Sequence, residues 1–170
     1  MRLLLREDLT LWAVQTIPLQ IFFLFLFFSP DAFFITGPFP ALYHGVLYYW
    51  SIYRPESFSF PLLLIGSLFF DALVGYSLGH TFLEILCVFF GVLYQRKNLI
   101  NAPFIVVWSC FIFCMAFFVL GAALVNFLQL KLFLIWDLFY ACIWTCLSYP
   151  LLNWFLKKVN DFLEHFHAQD

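Results

Sequence analysis

Five side chains in this sequence are of types that move protons, hold ions or bind metals: His44, Asp71, His80, Glu84 and Asp137. A carboxylate beside an imidazole can act as a general acid–base pair. The same groups can anchor a small polar ligand, or lock helices together by hydrogen bonds. All five stand in or beside long apolar runs. In such a setting an ionisable group is costly, and it faces other protein or a wet cavity. No recognised catalytic pattern accompanies them. The chain has no Gly-x-Ser-x-Gly, no His-Glu-x-x-His, no phosphate loop and no dinucleotide fingerprint. Ser67, Ser77 and Ser109 lack a base at any recognisable spacing. Neither an enzyme nor a cofactor or metal is expected from these residues.

The elements that must carry the five residues follow from composition. Of 170 residues, 65% are hydrophobic and only 11% are charged. A soluble domain carries roughly 25% charged residues. A small domain also keeps too much surface to hide so much apolar material. Disorder needs the opposite composition. The expected class is an all-α integral membrane protein, in keeping with a mean hydropathy of +0.96. The 26 Phe suit side chains facing lipid, and a net charge of −2 offers no footprint for nucleic acid. The cysteines are odd in number and lie in apolar runs. Cys110/Cys114 and Cys142/Cys146 each share one helix face, which reads as small residues at helix contacts.

Spans in lipid are helices or closed barrels, and runs without dyad alternation exclude the barrel. Six transmembrane helices are expected, at about 9–28, 39–53, 61–78, 81–94, 103–126 and 132–156, making one domain over 1–156. The second is short and ends in Tyr48-Tyr49-Trp50, the composition of a membrane interface. The third and fourth share a tight turn at Gly75 and Gly79. Gln95-Arg96-Lys97-Asn98 ends the fourth, and Pro150 bends the sixth. Residues 157–170 form a cytoplasmic tail. Phe155, Val159, Phe162, Leu163 and Phe166 recur at helical steps and make it amphipathic, suited to lying on the bilayer or docking a partner.

Arg2, Arg6, Arg54, Arg96, Lys97, Lys157 and Lys158 then fall on one side, and Lys131 alone on the other. The positive-inside rule places both termini in the cytoplasm. Counting about 1.5 Å per residue from the turns brings His44, Asp71, His80, Glu84 and Asp137 to the outer third of the bundle. The expectation is one polar cluster open to the outside. Asp71 is expected to make its leading contact, on a face where Gly75 and Gly79 admit a neighbouring helix.

The string Arg54-Pro55, Pro61, Gly66, Asp71, Gly75, Leu78-Gly79 resembles the central signature of the rod shape-determining protein MreD family. It covers about 26 residues. Length, span number and cytoplasmic ends are similar to that family as well. The resemblance implies a six-helix bundle similar to the substrate-binding subunits of energy-coupling-factor transporters. It implies a bacterial inner-membrane scaffold of the wall-elongation machinery, with no catalysis of its own. The implied partners are an MreC-like single-span protein, RodA and its transpeptidase, and MreB filaments, besides membrane lipid. The implied contact residues are Arg54, Pro55, Gly66, Asp71, Gly75 and Gly79. The competing expectation is a small-molecule-binding subunit of a transporter, with the outer cluster as its pocket, because one fold can serve either purpose.

Overall fold

The computed structural model describes residues 16–29, 41–75, 78–128 and 133–168. Within the expected spans, 9–15, 39–40, 76–77 and 132 lie outside the described residues, as do Lys131 and both extreme termini. Those residues form six helices and no strand. In chain order they are α1 (Thr16–Phe27), α2 (Leu42–Tyr53), α3 (Phe60–Val74), α4 (His80–Leu99), α5 (Phe104–Leu128) and α6 (Phe133–Ala168). A single 3-10 turn, Pro55–Ser57, links α2 to α3. One helix is long and apolar enough to cross a membrane, over Phe104–Gly121 of α5, and only 22% of that segment is buried. A core helix of a soluble protein would be mostly covered. Phe113 and Phe117 on α5 are instead 72% and 74% exposed. Helices α1 and α3 are apolar but shorter.

The contacts along the helices show how they run. At one end of α2, Tyr43 reaches Glu84 near the start of α4. At its other end, Ile52 receives Arg96 near the finish of α4. Ala41 and Arg54 bracket the same length of α6, through Thr145 and Asn160. Helices α2, α4 and α6 are therefore parallel. Helix α5 runs against them, since Val107 meets Tyr48 and Phe118 meets His44. Helix α3 turns back into α4, and α1 runs beside α3, with Phe22 on Phe58 and Phe27 on Phe70. The described basic residues, Arg54, Arg96, Lys97, Lys157 and Lys158, all lie at the end away from the α3–α4 turn.

Helix α2 is the central post. Every residue from Tyr43 to Ile52 is buried. Tyr48, Tyr49 and Trp50 therefore face other helices and not the bundle surface. All three belong to the core. The Tyr48 hydroxyl donates to the Val107 carbonyl at 3.0 Å, and its ring packs edge-on against Phe111 and Tyr149. The neighbours of α2 decide that this aromatic run packs inward. Two glycines permit the close packing. A Cβ at Gly45 would lie 2.6 Å from Leu152 on α6, and one at Gly66 would overlap the Phe23 ring on α1.

Two element ends differ from the hydropathy reading. Helix α4 passes through Gln95-Arg96-Lys97-Asn98 to Leu99. Polar residues end an apolar run but not a helix, and none of these four is a helix breaker. Two cations in the last turn also suit the helix dipole. Helix α6 continues through Pro150 and into the expected tail as one element of 36 residues. The tail's covered side consists of Leu156, Asn160 and Leu163, whereas Phe155 and Phe162 are exposed. The tail therefore spends part of its inner face on its own bundle.

Candidate functional site

Asp71 sits three residues before the end of α3, and its side chain is completely buried. Its Oδ2 accepts the Gly79 N–H at 2.8 Å, and its Oδ1 accepts the Thr81 N–H at 3.2 Å. Its own carbonyl accepts the Gly75 N–H at 2.9 Å. These are the open N–H groups at the start of α4 and the closing bond of α3. Gly75 and Gly79 have φ of 82° and 92°, left-handed values that side-chain-bearing residues rarely adopt. A Cβ on either would meet nothing within 4 Å among the described residues. In this chain the two glycines shape the turn. Asp71 tethers the turn from inside.

His80 follows Gly79 directly, so the same tether positions it. Its Nδ1 lies 3.2 Å from Glu84 Oε1, one helical turn on. Glu84 Oε2 accepts the Tyr43 hydroxyl at 3.2 Å and lies 3.7 Å from His44 Nε2. The His44 ring is buried and stacks on Tyr43 at a centroid distance of 4.1 Å. His44, His80 and Glu84 are thus brought together. Glu84 is the centre of the group, while the contacts of Asp71 go to the backbone on either side of His80. Asp137 falls on α6, and its side chain lies outside the described part. Tyr43 was not foreseen. A phenol next to a histidine on a buried helix carries no local signal, because its partner is 41 residues away.

A second polar group occupies the opposite end. Arg54 Nε donates to Asn160 Oδ1 at 2.8 Å, and its Nη2 lies 3.9 Å from Glu164. Asn160 Nδ2 donates to Glu164 Oε1 at 2.7 Å. Arg96 Nε donates to the Ile52 carbonyl at 2.8 Å, satisfying the last turn of α2. Pro55 opens the 3-10 turn beside Arg54. The sequence reading placed Arg54 among contact residues without finding this network, since Asn160 is a single polar residue 106 positions later.

As chemistry, the Glu84 group can exchange a proton between an acid, two imidazoles and a phenol, or hold a small cation-bearing group. No set of three or more His, Cys, Asp or Glu side chains among the described residues is arranged to hold a metal ion. Cys110, Cys142 and Cys146 pack against the core as free thiols. No family model matches this chain, and neither a curated protein nor a solved structure matches it significantly.

Proposed function

We propose that this chain is a six-span inner-membrane scaffold, of the MreD kind, that binds an MreC-like single-span protein and helps to organise peptidoglycan synthesis during wall elongation. RodA with its transpeptidase and MreB filaments are its further partners. Both termini are cytoplasmic. The alternating helix directions and the basic residues gathered at one end favour this topology. So do the exposed Phe and Ile faces of α3 and α5, which suit lipid and would be an aggregation liability in water.

One observation carries the functional reading. The residues of the MreD-like string have linked structural tasks in a single hairpin. Arg54 ties its base to α6, and Pro55 opens its entry turn. Gly66 seats it on α1, and Asp71 with Gly75 and Gly79 builds its tip. A stiff hairpin with short links has no separate binding domain, so recognition falls to its helix faces, where close packing drives association in lipid.

Depletion should round rod-shaped cells, and the tagged chain should bring down a single-span partner. Gly79→Leu, which strains the turn, should lower that recovery several-fold while leaving membrane insertion intact. Rods that keep their shape on depletion would remove the proposal. The transporter-subunit reading draws on Glu84 gathering two imidazoles and a phenol. Neighbouring genes for paired ATPases, in place of MreB-like and MreC-like proteins, would favour it.

A further inference from the structure

At the basic end of the bundle a cavity of about 250 Å³ opens between α2, the start of α5 and α6. Its wall includes Lys157, Asp161, Asn153, Tyr49 and Tyr53, above an apolar side formed by Phe104. Pockets for drug-sized ligands run from about 300 to 1,000 Å³. This cavity therefore takes a fragment of a molecule. Its two charges are the informative part. Lys157 and Asp161 are one turn apart on α6 and face the same space, yet no ion pair joins them among the described residues. The cavity therefore presents a cation and an anion on neighbouring turns of one helix, with Cβ atoms roughly 6 Å apart. Beside them stand two aromatic rings, and aromatic faces attract ammonium groups. Phe104 and the neighbouring Ile105 are exposed, so an apolar surface leads away along α5.

We propose that this cavity binds the phosphoethanolamine headgroup of a membrane phospholipid. Lys157 meets the phosphate. Asp161, with Tyr49 and Tyr53 beside it, meets the ammonium, and Asn153 supplies a hydrogen bond. The acyl chains follow the exposed face of α5. A purely anionic headgroup would gain from Lys157 but be opposed by Asp161. A choline headgroup has no N–H to give Asp161. The assignment rests on the membrane topology proposed above, which puts this end at the inner leaflet.

The test uses the full chain purified in detergent and offered phosphatidylethanolamine, phosphatidylcholine and phosphatidylglycerol in equal amounts, with retained lipid counted by native mass spectrometry. The ethanolamine lipid should be retained about tenfold over the other two. Asp161→Asn should bring the three within about twofold of one another, whereas Lys157→Gln, which removes the contact to the phosphate they share, should lower the retention of all three several-fold. Lys158→Gln should change nothing, because the Lys158 ammonium lies 4.1 Å over the Trp154 ring. Both informative positions are exposed, so the variants should keep the helix content and monodispersity of the parent. Equal retention of the three lipids by the parent, a preference that survives Asp161→Asn, or undiminished retention by Lys157→Gln overturns the assignment. Soluble glycerophosphoethanolamine that competes as well as the lipid would make the occupant a free metabolite and overturn it too. Alkaline extraction separates the two proposals. A chain that stays in the membrane but shows no lipid preference loses only the headgroup, whereas a chain released into the wash loses the topology as well.

Discussion

Asp71 is the residue on which most of the α3–α4 turn depends. Two backbone N–H groups converge on one carboxylate inside a buried site. Asparagine can accept one of those bonds, but its amide turns a donor towards the other. Leucine accepts neither. A lost cap costs about 1 kcal/mol, and each buried donor left without an acceptor costs about 1–3 kcal/mol. Asp71→Asn should therefore lower stability by about 1 kcal/mol and Asp71→Leu by about 3 kcal/mol, read from unfolding of the purified protein in detergent. The two variants should also differ in complementing a deletion. Equal behaviour in both assays would mean that the carboxylate does not hold the turn. At Gly75 and Gly79 the demand is on backbone conformation. Space is open for a side chain at both, but the left-handed φ is not a conformation that one readily accepts.

Among the elements, α6 carries two jobs in one helix. At about 1.5 Å per residue its 36 residues reach about 54 Å, well beyond the roughly 30 Å of hydrocarbon. Its distal part is fastened to the core by Arg54 and Asn160. Among the described residues, removing Asn160 leaves the guanidinium with only an exposed, 3.9 Å partner in Glu164, a pairing worth little in water. Asn160→Leu should speed amide hydrogen exchange over 157–168 by about tenfold, with the Gly79 turn unchanged. Glu164→Gln should have almost no effect. Exchange that rises equally at both ends of the bundle would show that the fastening is global.

For the whole molecule, the expected arrangement is six crossings with the Gly79 turn outside and Asp170 inside. A phosphatase fused at the Gly79 turn should be active in the periplasm, and one fused after Asp170 should be inactive, with a fluorescent reporter giving the reverse pattern. Activity at both sites would mean an even number of crossings between the turn and Asp170, against the three that α4, α5 and α6 would make. Exposed aromatic and aliphatic side chains on α3 and α5 suit lipid better than water. At about 25 cal/mol per Å² of apolar surface, leaving them in water would forgo more stability than a small domain has to spare.

Much of this was legible in the residues themselves. Helix number and approximate limits follow from apolar runs and from turn formers such as Gly75 and Gly79, because helix formation and backbone strain are local. The gathering of His44, His80 and Glu84 follows from counting residues along antiparallel rods. Long-range choices were not legible. Nothing near Tyr48 says that α2 will be enclosed, nothing near Asn160 names Arg54, and nothing near Gly45 names Leu152. Periodicity identifies which side of a helix is apolar, but packing alone selects which neighbour covers it. For that reason the central post, the inward use of Asp71 and the fastening of α6 belong to the tertiary structure.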